Sequence, residues 1–448
     1  MCRILLATLV VVSGLVAADK IGNLPGAPPV NFGQYTGYFT VGINLSMFYW
    51  FIESQNNPAT DPVLLWLSGG PGCSGLSALL TEWGPLHVNP DGTTLRVNEW
   101  GWNRNASVLT VESPVGVGFS YGSDVTDIND NKTANENWNA LKEFFTAFPQ
   151  YVKNDFYVTG ESYAGIYIPT LVSTILDRQS QFKINIKGFA IGNGCVSYPE
   201  NDDSLVEWEY NHGMIDDTEW QNIQQQCCAG AADDCDFHQY EGTSGTCGSF
   251  LTNDDSLVAQ MHATVDCQHP AALGTVEKSK LRQAERMRKQ IKHKEVKRKT
   301  TITNNKRRSP ISYGTPICID EDPVINYLNQ PAVRTAIGVP SFVQTWDICS
   351  DQVGQFYGGG TDTTVPYFTK AINAGLRALL YHGFSYHLGF KAKNAKQAYH
   401  VAGQVGGFCE RYQGLDFCTV KGAGHIVPMN KPQAAWHLLN AFLTQSNY

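Results

Sequence analysis

Apolar positions along this 448-residue chain fall into short runs separated by turn-forming residues. Runs rich in aliphatic, β-branched and aromatic residues at 47–51, 63–67, 107–111, 156–159, 186–191, 377–381 and 416–420 predict strands. Helical patterns at 134–146, 168–176, 330–337 and 431–443 alternate with several of them. Such alternation predicts the α/β class, with a mainly parallel sheet covered by helices on both faces. Between residues 197 and 309 the pattern turns helical, then cysteine-rich, then strongly basic. With strand runs and motifs on both sides of it, that stretch reads as an insertion in one large domain.

Composition adds a compartment. Residues 1–18 combine a lone Arg3, an apolar run at 4–12 and the small residues Val16-Ala17-Ala18, which predicts a cleaved secretory signal. The apolar stretch is too short to span a bilayer, so the chain is expected in the secretory pathway, lysosomal or extracellular, without a membrane span. Disulfides are permitted there. Twelve cysteines are present, and removal of Cys2 with the signal leaves eleven, an odd count that predicts an unpaired thiol or a missing partner. Six of them lie between Cys195 and Cys267 with no Cys-x-x-Cys pair, which reads as disulfide-tied loops and not as a metal site. Cys409 and Cys418 flank a turn-like stretch and are expected to face one another across a hairpin. Asn44-Leu45-Ser46, Asn105-Ala106-Ser107 and Asn131-Lys132-Thr133 are glycosylation candidates. Residues 277–308 hold 14 Lys or Arg against three Glu, in a chain of net charge −8. So dense a charge predicts an exposed, protease-sensitive loop, with Lys297-Arg298-Lys299 and Lys306-Arg307-Arg308 as cut sites; nucleic acid is not an expected partner.

Candidate chemistry enters at Phe156-Tyr157-Val158-Thr159-Gly160-Glu161-Ser162-Tyr163-Ala164-Gly165-Ile166, a β-rich run, then Gly-x-Ser-x-Gly, then a segment able to be helical. That order matches the nucleophile elbow of the α/β-hydrolases, in which a tight strand-to-helix turn presents a serine hydroxyl above the sheet. Gly160 and Gly165 would let the turn tighten and its neighbours approach. Near the C-terminus, Val420-Lys421-Gly422-Ala423-Gly424-His425-Ile426-Val427-Pro428 breaks a strand at small residues and exposes one histidine. Serine first and histidine last is the chain order of the α/β-hydrolase triad. Upstream, the apolar run at 63–67 ends in Ser68-Gly69-Gly70-Pro71-Gly72-Cys73, a loop whose free N–H groups could hold an oxyanion. Each motif alone has a bland reading; in this order they point to Ser162 attacking a carbonyl while His425 carries its proton.

With Glu82-Trp83-Gly84-Pro85, Trp102-Asn103, Glu112-Ser113-Pro114-Val115-Gly116-Val117-Gly118-Phe119-Ser120-Tyr121 and Ile191-Gly192-Asn193-Gly194 added, the chain resembles the serine carboxypeptidases. The resemblance runs from about residue 24 to the end, outside the basic segment. It implies an α/β-hydrolase fold with an inserted cap region, and an oxyanion hole built from the N–H groups of Gly70 and Tyr163. It implies too that Ser68, Gly69, Glu82 and Glu161 bind the substrate's terminal carboxylate. Glu82 and Glu161 would share a proton, because two buried carboxylates cannot both stay ionised beside a third. Binding would then weaken as pH rises, which suits an acidic compartment. A long-range disulfide from Cys73 is implied, with Cys349 the expected partner, and neither a metal nor a cofactor is. Ser68 departs from the family, where Asn is common; its hydroxyl is shorter but still donates one hydrogen bond.

The resemblance further implies a catalytic Asp after a strand ending Tyr-x-Gly-Asp-x-Asp. Here Tyr381-His382-Gly383 is followed by Phe384-Ser385-Tyr386-His387-Leu388-Gly389-Phe390, with no acid, which reads as a segment lost after Gly383. Asp362 is the nearby substitute, but it precedes the strand. Losing that acid's charge lets the histidine adopt the wrong tautomer, a defect of about 10⁴ in a serine protease. The expected organisation is a signal at 1–18, hydrolase core at 19–198 and 310–448, and a cap insertion at 199–309 containing an excisable segment at 277–308. The expected function is a serine-type carboxypeptidase acting at acidic pH on peptide or protein C-termini, impaired by the lost acid. An acyltransferase on the same scaffold, or a catalytically weak binding or protective protein, are the alternatives. Ser68 slightly favours the first, and the retained glutamates argue against it. A homodimer stays open.

Overall fold

In the computed structural model, which describes residues 19–123, 125–211, 215–228, 235–240, 247, 321–383, 396–446 and 448, the short apolar runs become neighbouring strands of one sheet. The strands are β1 (Asp19–Lys20), β2 (Gln34–Gly42), β3 (Leu45–Ile52), β4 (Val63–Leu67), β5 (Leu86–Val88), β6 (Leu95–Val97), β7 (Ser107–Val111), β8 (Tyr121–Gly122), β9 (Phe156–Glu161), β10 (Ile186–Gly192), β11 (Arg377–His382), β12 (Gln397–Val401), β13 (Gln404–Arg411) and β14 (Leu415–Thr419). A parallel centre in the order β7-β4-β9-β10-β11-β14 is extended by antiparallel strands at both edges, while β5 and β6 form a separate ribbon. This is the α/β-hydrolase fold.

Every residue of β4 is buried, because helices cover both faces of the centre. Leu64 and Trp66 pack into one layer with α1 (Gly75–Thr81) and the helices Asp322–Leu328 and Pro432–Thr444. Leu65 and Leu67 pack into the other with α2 (Asp130–Ala147), α3 (Ala164–Asp177) and the helix Val365–Asn373. Beyond β10, α4 (Tyr198–Asn211) and α5 (Asp217–Cys227) help to build a third, smaller cluster around Val206, Ile215, Trp220 and Ile223. Disulfides Cys227–Cys247 and Cys228–Cys235 tie that region.

Two helices begin earlier than their periodicity predicts. Asn129 accepts the Lys132 N–H at 3.0 Å and so starts α2 at Asp130, while α3 begins directly at the turn that carries Ser162. The edge strands β12 and β13 escape prediction because they are partly exposed and lack an apolar run. Across the hairpin, Cys409 and Cys418 are register partners on β13 and β14 and are bonded. Cys195 is also disulfide-bonded. The leader at 1–18, the basic segment 277–308 and residues 384–390 lie outside the described residues.

Two buried carboxylates brace the two layers, Glu112 beside α1 and Glu136 on α2. Glu112 accepts the Phe119 N–H at 2.8 Å and the Ser74 hydroxyl, and Trp346 Nε1 donates to Ser74 Oγ at 3.1 Å. Glu136 of α2 accepts the Val115 N–H at 3.3 Å. Burial pushes each carboxyl up to about 7, from an ordinary 4.5. The native state therefore keeps protons that the unfolded chain has released, so their contribution to stability is full below about 4.5 and is lost as pH rises through about 7. The melting temperature should be higher at pH 5 than at pH 8, and Glu136→Gln should narrow the difference; a chain that melts later at pH 8 would contradict this account.

Candidate active site

Ser162 sits where β9 turns into α3, at φ 60, a left-handed conformation that is costly for a residue with a Cβ. Its backbone is held on both sides: the Ser162 N–H donates to Gly192 O at 3.0 Å, and Ser162 O accepts from Gly165 and Cys195 N–H at 2.9 and 3.0 Å. Both flanking glycines are required by space. A Cβ on Gly160 would lie 2.1 Å from Leu67 O, and one on Gly165 would lie 2.5 Å from Cys195 O. The loop after β4 comes equally close, since a Cβ on Gly69 would stand 2.4 Å from Tyr163 N and 2.7 Å from Ser162 Cβ. Among the described residues, neither the Gly70 nor the Tyr163 N–H donates a hydrogen bond to the protein. The loop itself is anchored by the disulfide Cys73–Cys349, with Ser74 N–H donating to Ile348 O at 2.7 Å and Ser350 N–H to Gly72 O at 2.9 Å.

Beside the elbow lies a pair of buried carboxylates. Glu161 is the last residue of β9, and Glu82 caps the C-terminal end of α1, both buried. Glu82 is pinned through its backbone: its N–H donates to Ala78 O at 2.9 Å, and its carbonyl accepts from His87 Nε2 at 3.0 Å and Asn98 Nδ2 at 3.2 Å. Burial raises both carboxyls well above the ordinary carboxylate range, and the Glu161 charge raises Glu82 further. One oxygen of each, Oε2, has no partner among the protein's own groups. Trp66, Trp83 and Trp102 pack together, and Trp66 Nε1 donates to Ser68 Oγ at 3.0 Å. That contact uses an acceptor site of the Ser68 hydroxyl and leaves its proton available to a ligand.

His425 occupies the loop after β14, with part of the residue exposed while desolvation of the ring lowers its pKa below the ordinary 6.5. Asn193 holds this loop. Its Nδ2 donates to His425 O at 2.6 Å and to Gly424 O at 3.1 Å, and its Oδ1 accepts the Gly383 N–H at 3.0 Å. One amide thus ties the ends of β10, β11 and β14 together. The Ile191-Gly192-Asn193-Gly194 motif assigns Asn193 no role by itself; its sequence signal is an Asn directly after a strand-ending glycine, where φ 40 suits Asn. His382, also unremarked, is buried at the end of β11, and burial with the neighbouring His425 ring takes its pKa down to about 3. Ser162 and His425 share no hydrogen bond in this arrangement, and among the described residues no carboxylate bonds to the His425 ring. The side chain of Asp362 is exposed; its carbonyl accepts the Tyr198 N–H at 2.9 Å.

A hydroxyl on a tight turn, two open amides and a neutral histidine are the parts that nucleophilic acyl transfer requires. A family model described as serine carboxypeptidase matches residues 25–445. The lysosomal protective protein of Mus musculus is 36% identical over 460 residues, covering 96% of this chain and 94% of that protein. A serine carboxypeptidase of Caenorhabditis elegans is 33% identical over 458 residues, covering 96% and 94%. A prohormone-processing carboxypeptidase from Saccharomyces cerevisiae shares the fold at TM-score 0.67 and 19% identity, covering 95% of each chain.

A fluorophosphonate probe should label the native chain and leave Ser162→Ala unlabelled. Asn193→Ala gives up three hydrogen bonds worth about 1 kcal/mol each, so labelling should slow by about tenfold or more. Labelling at the native rate would show that Asn193 does not position His425.

Proposed function

This chain belongs to the serine carboxypeptidase family, and we propose that it releases C-terminal residues from peptides through an acyl-enzyme on Ser162. The observation that carries this reading is the buried Glu82–Glu161 pair beside the elbow, each with an unpartnered oxygen. A pair that retains a proton can donate to an anionic carboxylate, whereas an ionised pair would repel it. Attack on an internal bond needs no such device. The same pair disfavours the acyltransferase reading.

In the proposed cycle Ser162 Oγ attacks the last peptide carbonyl while His425 takes its proton. The Gly70 and Tyr163 N–H groups receive the oxyanion; losing one such donor costs about 10²–10³ in rate. His425 returns the proton to the leaving nitrogen, and water then repeats the attack on the acyl-enzyme. The terminal carboxylate lies against Gly69, the Ser68 hydroxyl and the protonated member of the glutamate pair. With no carboxylate meeting His425 among the described residues, we expect turnover well below that of a complete triad, by a factor approaching 10⁴.

The cellular setting follows the same reading: removal of 1–18, a cap at 199–309 from which 277–308 is excised, and residence in a lysosomal or extracellular compartment. No helix among the described residues is long and apolar enough to cross a membrane. Asn44 and Asn131 are exposed and available for glycans, whereas Asn105 Nδ2 donates to Asn440 Oδ1 at 2.8 Å.

Turnover of an N-blocked dipeptide should vanish in Ser162→Ala. Because burial lowers His425, the base keeps its neutral form to lower pH than an ordinary histidine; because burial raises the glutamates, the retained proton is lost only above the ordinary carboxylate range. KM should therefore climb about tenfold for each pH unit beyond the pair's apparent pKa, with kcat unchanged. A KM that is flat from pH 5 to pH 9 would remove the glutamates from substrate recognition. In a secreted preparation, a mobility shift on deglycosylation should disappear in Asn44→Gln/Asn131→Gln; its persistence would move the glycan to Asn105.

A further inference from the structure

Three buried polar atoms on residues that sense one another's charge lack a partner among the protein's own groups: Glu82 Oε2, Glu161 Oε2 and the Tyr381 hydroxyl. Their residues are 4%, 7% and 3% exposed. Sheet register brings the third to the other two. Glu161 on β9 and Tyr381 on β11 are both register partners of Gly192 on the strand between them. Register partners in a parallel sheet point to the same face, so these side chains rise on either side of a residue that has none. The tyrosine ring occupies that gap: a Cβ on Gly192 would lie 2.7 Å from Tyr381 Cε2 and Cζ and 2.8 Å from its hydroxyl oxygen. The ring therefore leans across β10 toward Glu161. After burial itself, the charges of Glu161 and Glu82 are what raise the phenol's pKa.

We infer that Tyr381 is a further substrate-positioning residue, whose O–H donates to the terminal carboxylate beside the glutamate pair. This rests on the proposed role of Glu82 and Glu161. The two kinds of donor differ in chemistry. A glutamate donates only while protonated, so its contribution ends as the pair ionises; a phenol with a raised pKa donates throughout the working range of the enzyme. An orphaned buried hydroxyl also destabilises the ligand-free protein, and an arriving carboxylate oxygen satisfies it.

The test uses the full chain in a Ser162→Ala background, with calorimetric titration of an N-blocked dipeptide and of its C-terminal amide. The background should prefer the acid. Tyr381→Phe should weaken the acid about tenfold to a hundredfold, the range for a hydrogen bond to a charged group, and leave the amide unchanged. Its ligand-free melting temperature should rise, because the unpaired hydroxyl is gone. Equal loss for acid and amide, or a lower melting temperature, would mean a packing role and overturn the inference. If Glu82→Gln and Glu161→Gln each erase the acid preference while Tyr381→Phe keeps it, this inference alone falls. If the background shows no acid preference, the glutamate reading falls and takes this one with it.

Discussion

Backbone packed directly against backbone at the carboxyl ends of β4, β9 and β10 is the constraint on which the site depends. Gly69, Gly160 and Gly165 lie where any side chain would strike a carbonyl or amide of the neighbouring segment. That closeness lets Ser162 hold a left-handed conformation, because its N–H and carbonyl are both bound to β10 and the loop after it. The Gly69–Gly70 loop is brought against the Tyr163 amide by the same packing, so two open N–H groups lie near one hydroxyl. The disulfide from Cys73 to Cys349 anchors the outer end of that loop to a segment 276 residues away.

Desolvation does the electrostatic tuning, and it acts in opposite directions on acids and bases. Burial favours whichever form is neutral, so Glu82, Glu161, Glu112 and Glu136 are raised while His425 and His382 are lowered. A neutral histidine able to accept a proton and a carboxyl still holding one can then coexist in mildly acidic solution. Ordinary carboxylates and imidazoles would have the reverse protonation there. Burial of the carboxyls makes their own contribution to stability favour acid, while burial of the histidines acts in the opposite direction.

Asn193 and Tyr381 show how the site is assembled across the sheet. Each belongs to a strand end that sequence inspection identifies, yet their contacts are with residues far along the chain. Asn193 reaches the His425 loop over a separation of 232 positions. Tyr381 faces Glu161 only because Gly192 lies between them in register.

The central strands, the elbow and the glycine loop were legible in the sequence because each depends on residues adjacent in the chain: apolar runs, or glycines at fixed offsets from one serine. The resemblance to a family added the pairing of Glu82 with Glu161, which spacing alone does not contain. Helix starts were misjudged where a cap or a turn, not periodicity, sets the first residue, as at Asn129 and Ser162. The exposed edge strands carried too little apolar pattern to be seen. What only the tertiary structure decided was which strand lies beside which, and in what register. Register follows from packing summed over the whole sheet, and it alone brings Glu161, Gly192 and Tyr381 side by side, while the loops at the strand ends bring the His425 backbone to Asn193.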